Sequence, residues 1–129
     1  MSQRREQGGW LIRNPDNTFR FEPFPATYAT SPCAIALPMP LPIPPGAVAM
    51  VHTHPFRNGE RMTSCDWQET PYGTFPVTYR NTTSMDDDQV LRRLQTTGAP
   101  ELIGIMIDAD KIVAYNAGPT ESSFQRCGY

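Results

Sequence analysis

Fourteen of the 129 residues are proline, and this limits the fold more than any other feature. Proline lacks a backbone donor and interrupts the interior of helices and sheets alike. Few long helices, short strands and much irregular backbone are therefore expected. One stretch, SMDDDQVLRRLQTTGAP at 84–100, reads clearly as a helix. Ser84 is a good N-cap, and Asp86, Asp87 and Asp88 favour the positive end of the helix dipole. Val90, Leu91 and Leu94 form an apolar stripe at helical spacing, and Gly98 and Pro100 end the element.

The remaining elements read as strands. GWLIRN (9–14) and TFRFEP (18–23) flank Asn-Pro-Asp-Asn, whose turn chemistry predicts a hairpin. CAIAL (33–37) is a further strand candidate. PMPLPIPPG (38–46) is expected to be a stiff, polyproline-like connection packed on the body, the alternative being a ligand for a proline-recognising domain. AVAMVHTH (47–54) reads as a buried strand closed by Pro55. ELIGIMID (101–108) and KIVAYNAG (111–118) read as a hairpin about the turn DADK. Residues 56–83 look loop-like, with a short strand at PVTYR (76–80), and 117–129 look like a C-terminal tail. Trp10, Trp67, Tyr72 and Phe75 read as core or loop packing. The order of strands, one helix and strands predicts a single α/β domain over 1–129, with a core at 6–116 and a mixed β-sheet with few helices.

Composition removes several function classes. Net charge is −2 with no large basic block, so nucleic-acid binding is not indicated. No apolar segment reaches the roughly 18 residues of a membrane span. The start, MSQRREQGG, lacks the apolar centre of a signal peptide. Cys33, Cys65 and Cys127 are odd in number and widely spaced. They predict neither a disulfide framework nor a zinc ribbon, and a reducing cytosol is the default compartment.

The two histidines of the chain, His52 and His54, stand two positions apart. On a strand they share a face, so two neutral imidazoles can hold one metal ion. The alternative is a pair of exposed strand-end histidines bonded to neighbours. Two histidines are too few for amidohydrolase-type sites, and zincins need theirs on a helix. Two histidines plus a carboxylate remain, which gives zinc three protein ligands and an open fourth position.

His52-Thr53-His54-Pro55 resembles the His-x-His-Pro of the JAMM metallopeptidases, the MPN-type or JAB-like domains. Ser84-Met85-Asp86-Asp87 resembles the Ser-x-x-Asp that follows it in that family at a helix start. The resemblance covers residues 6–116 and implies a JAB/MPN architecture, related to that of cytidine deaminases. It implies zinc held by His52, His54 and Asp87. It also implies Glu6, in Glu6-Gln7-Gly8-Gly9, as general base, and Ser84 as a hydrogen-bond donor to the oxyanion. The implied reaction is hydrolysis of an amide or isopeptide bond in a protein or peptide substrate, ubiquitin-like tails included. The pattern is most similar to JAB-like domains of bacterial polymorphic toxins, which implies a cytoplasmic protein or one delivered as part of a larger secreted chain.

Alternatives stay open. Asp66, in Thr63-Ser64-Cys65-Asp66, competes as third ligand, with Thr63 in place of Ser84. Pro71 and Gly73 follow it and prevent a helix, which favours Asp87 and makes 56–83 an insertion. Glu22 is a fallback base. Cys65 with a histidine would make a cysteine hydrolase. A non-catalytic MPN-like binding module and a cupin-like metal site are the other readings, the last requiring that no helix exist at 84–97.

Overall fold

A computed structural model of the chain describes residues 5–31, 34–38, 40–57, 59–62, 65, 67–76, 79, 85–116 and 121–125. For 67, 68, 76, 85, 86 and 121–125 it describes the backbone alone. The chain forms a small mixed α/β domain. Its main sheet has six strands: β1 (Gly8–Arg13), β2 (Phe19–Pro23), β3 (Ala47–Thr53), β6 (Ile103–Ile107), β7 (Lys111–Tyr115) and β8 (Glu121–Gln125). They run in the order β2-β1-β3-β6-β7-β8. The β3–β6 pair is parallel and the other pairs are antiparallel. Helix α1 (Met85–Thr97) lies between β3 and β6 in the chain, as a parallel pair requires of its crossover. The presence of α1 at Met85–Thr97 removes the cupin-like alternative.

The β1–β2 turn follows from its residues. Asn17 takes a φ of 68°, which asparagine tolerates, and its N–H donates to the Asn14 carbonyl at 3.0 Å. The polyproline stretch does pack on the body: Leu41 is buried in the core, with Leu37 and Ile43 against it. It ends in a turn in which Ala47 N–H donates to the Pro44 carbonyl, with Gly46 at φ 81°. Proline then glycine at the two central positions is type II turn chemistry, and it launches β3.

One face of the sheet carries the core. Trp10 and Ile12 of β1, Met50 of β3, Met106 of β6, and Val113 and Tyr115 of β7 pack with Leu91 and Leu94 of α1. His52 alternates with Met50 along β3, so the pleat turns it to this helix-covered face.

Several expectations are corrected. Of CAIAL, the described residues 34–37 form no strand, and one bridge joins Thr30 and Ile35. Residues 56–83 contain a separate hairpin, β4 (Trp67–Thr70) and β5 (Gly73–Pro76), where loop was expected; the strand expected at 76–80 lies largely outside the described residues. Pro71 and Tyr72 turn it, and Thr70 Oγ1 donates to the Gly73 carbonyl at 2.9 Å. Tyr72 is 90% exposed and Phe75 50%, so neither is packed as expected. The expected tail at 117–129 contributes β8, which pairs with β7 along all five residues. Cys65 is disulfide-bonded, against the expectation from an odd and scattered set. Three cysteines still allow one pair, and spacing along the chain does not measure distance in the fold. Its partner lies outside the described residues, as do Cys33 and Cys127.

Candidate metal centre

β3 ends at Thr53, with His52 just before that residue and His54 just after it, and α1 begins beside them. The Nε2 atoms of His52 and His54 face each other at 3.1 Å. Asp87, in the first turn of α1, places Oδ1 3.3 Å from His52 Nε2 and Oδ2 3.3 Å from His54 Nε2. One ligand atom from each residue falls within 4.8 Å of the others, a group that could hold a metal ion. Two imidazole nitrogens and a carboxylate aimed at one another need a shared cation or proton between them. Donors about 2.0–2.1 Å from a tetrahedral zinc lie roughly 3.3–3.4 Å apart, so these separations fit. The side chains of His52, His54 and Asp87 are 7%, 12% and 17% exposed, leaving the group sheltered yet reachable.

Glu6 reaches the same place by strand register. Gly8 of β1 pairs with His52 of β3. The pairing continues one step further, where Gln7 N–H donates to Thr53 Oγ1 at 2.8 Å and Thr53 N–H to the Gln7 carbonyl at 2.8 Å. The next residue outward, Glu6, therefore lies across from His54, and its own N–H is held by the Ser31 carbonyl at 2.7 Å. Burial pushes the Glu6 carboxyl up to about 7, with His54 pulling it down and Asp87 pushing it further up. Glu22, by contrast, is exposed on the outer strand β2, opposite Trp10.

His54 is shifted the opposite way for a base. Burial resists its protonation, but the hydrogen bond and charge of Asp87, with the charges of Glu6 and Asp108, outweigh burial and raise its pKa. A proton therefore competes with a metal ion for this imidazole.

Behind the histidines stand three residues that sequence reasoning did not single out. Tyr79 places its hydroxyl 3.3 Å from His54 Nδ1 and donates it to Asp108 Oδ2 at 2.7 Å. Burial first, and then the bond to Asp108, hold that hydroxyl proton on well above the usual phenol range. Tyr115 packs edge-on against His52, ring centres 6.1 Å apart. Its buried hydroxyl has no hydrogen-bond partner among the described residues. Asp108 carried one signal, its place at the end of a strand; Tyr79, inside a long loop-like stretch, carried none.

The ligand set His52, His54 and Asp87 comes together, with Glu6 beside it. Ser84, Asp66 and Thr63 lie outside the described residues. Cys65 holds its sulfur in a disulfide, which leaves no free thiolate for a cysteine hydrolase. No described helix is long and apolar enough to cross a membrane. No family model, curated protein or solved structure matches the chain.

Proposed function

We propose that this chain is a JAMM-like zinc metallopeptidase or isopeptidase that hydrolyses an amide or isopeptide bond of a protein or peptide substrate. The observation that carries the reading is the convergence of His52, His54 and Asp87 with Glu6 directly across the ladder. A purely structural metal site needs the three ligands and a fourth protein donor; a hydrolytic one needs three ligands and a base. The fourth group here is a half-buried carboxyl whose pKa is raised to about 7, which suits a base more than a ligand. The order of His-x-His-Pro, a helix start bearing the aspartate and a following buried strand also supports the JAB/MPN architecture.

Bound zinc would supply a Lewis acid and lower the pKa of a coordinated water to about 7. Glu6 would take that water's proton and return it to the leaving amine. A pKa near the working pH favours both transfers. Asp87 lies in the first turn of α1, where the positive end of the helix dipole favours a carboxylate, and would offer its oxygens to the metal. Ser84 is proposed as the donor to the developing oxyanion, a contact worth about 3 kcal/mol where such donors have been removed. The Cys65 disulfide supports delivery within a larger secreted chain over residence in a reducing cytosol.

The test is metal content paired with turnover of a lysine-linked isopeptide. The purified protein should carry about one equivalent of zinc, and His52→Ala or Asp87→Ala should lose it. Glu6→Ala should keep zinc and lose turnover by at least about 100-fold. Full turnover in Glu6→Ala would move the base elsewhere, and zinc retained without His52 or Asp87 would sink the site.

A further inference from the structure

We infer that Tyr79 and Asp108 act as positioning residues that fix which nitrogen of His54 faces the metal; this rests on the metal site proposed above. Asp108 is buried, 2% exposed, and its two carboxylate oxygens have separate duties. Oδ1 accepts the backbone N–H groups of Asp110 and Lys111, both at 2.8 Å, and so shapes the β6–β7 turn. Oδ2 accepts the Tyr79 hydroxyl at 2.7 Å. With its hydrogen committed to a carboxylate, the Tyr79 oxygen presents a lone pair to His54 Nδ1, 3.3 Å away. His54 then carries its proton on Nδ1, which leaves Nε2 with a free lone pair aimed at His52 and Asp87. Hydrogen bonds behind a ligating histidine orient the ring and raise its donor strength in this way.

The geometry is held from two sides. His54 N–H donates to the Ile107 carbonyl at 2.9 Å, which sets Asp108 next to His54 at the ends of the parallel strands. Tyr79 comes from the far end of the 56–83 insertion. Its N–H donates to the Glu60 carbonyl at 2.7 Å, and its carbonyl accepts the Gly59 N–H at 2.8 Å. This short two-stranded neck closes the insertion at its base. Phe56 stacks on the Tyr79 ring, centres 5.7 Å apart. The insertion thus delivers a fixed hydroxyl to the metal site.

The Asp108→Asn substitution reads the polarity of this chain. Two backbone N–H donors face Oδ1, so the amide must place its oxygen there. Its NH2 group then faces Tyr79 and can only donate. The tyrosine hydrogen loses its carboxylate and turns to His54 Nδ1, which drives the imidazole proton onto Nε2, where the metal should bind. The experiment measures zinc affinity by chelator competition for the full chain and for Asp108→Asn, Tyr79→Phe and the double variant, each checked by circular dichroism.

Asp108→Asn should weaken zinc binding about 100-fold and Tyr79→Phe about 10-fold, within the span expected of partners behind a metal ligand. The double variant should match Tyr79→Phe, because without the hydroxyl the amide has no route to His54. Wild-type affinity in Asp108→Asn, or losses that simply multiply in the double variant, would overturn the relay while leaving the metal site standing. If Asp108→Asn does not fold, Tyr79→Phe decides alone: unchanged affinity overturns the inference. A wild-type chain that binds no zinc would overturn the metal site and the relay together.

Discussion

At the scale of single residues, Glu6 joins fold stability to the proposed chemistry. Its carboxyl ionises near 7 in the folded chain and near 4.5 when unfolded. The folded state therefore binds the proton more tightly, and the sign of the pH effect follows. Below about 4.5 both states are protonated and burial of Glu6 carries no ionic penalty. Between 4.5 and 7 the unfolded state ionises first and stability falls; above 7 the penalty is complete. Glu6→Gln removes the ionisation. In metal-free protein, the melting temperature of Glu6→Gln should equal that of wild type near pH 4 and exceed it at pH 8. An equal difference at both values would mean that the Glu6 carboxyl is not held up by burial. Its role was hard to see in the chain itself, since surface glutamates are common. What singles it out is its rung on the β1–β3 ladder, a property of register.

At the scale of elements, the sheet holds the site by close packing. Gly104 of β6 lies under the Tyr115 ring, and a Cβ at 104 would collide with that ring. The same ring stands edge-on to His52 at 86°. Gly104→Ala must displace Tyr115 and disturb the support of His52, a proposed metal ligand. A loss of about 1–3 kcal/mol in urea unfolding is expected, as for other overpacked cores, together with weaker zinc binding. Unchanged stability would show that the ring has room to move.

The elements differ in how plainly they could be read from the chain. The β1–β2 hairpin, β3, α1 and the β6–β7 hairpin announce themselves by turn residues, apolar runs and capping. The β4–β5 hairpin and β8 do not. Trp-Gln-Glu-Thr, Gly-Thr-Phe-Pro and Glu-Ser-Ser-Phe-Gln show no apolar alternation, so only backbone pairing with a neighbour makes them strands.

At the scale of the whole molecule, the site is assembled from parts remote in sequence. Glu6 precedes β1, the histidines flank Thr53 at the end of β3, Tyr79 lies between β5 and α1, Asp87 is in the first turn of α1 and Asp108 follows β6. The proposed ligands His52, His54 and Asp87 were readable as candidates because a zinc site demands a third donor and Asp87 stands at the start of the expected helix. Their supporting residues were not, because no rule of spacing links residue 79 to residue 54 or 108. A cation at this site would tie β3 to α1, and no such tie exists in the unfolded chain. Binding must then stabilise the fold by mass action, by about 2.7 kcal/mol when free zinc is 100 times its dissociation constant. For a domain of this size that is a rise of roughly 10 °C in melting temperature, growing with zinc concentration. Chelation should reverse it. Asp87→Ala should abolish the zinc-dependent rise, since it removes the ligand proposed on the helix side. Glu6→Gln should keep it, because Glu6 is proposed as base and not as ligand. A zinc-dependent rise that survives Asp87→Ala would place the ion elsewhere on the chain, and with it would go the link between α1 and the histidines on which the proposed hydrolysis depends.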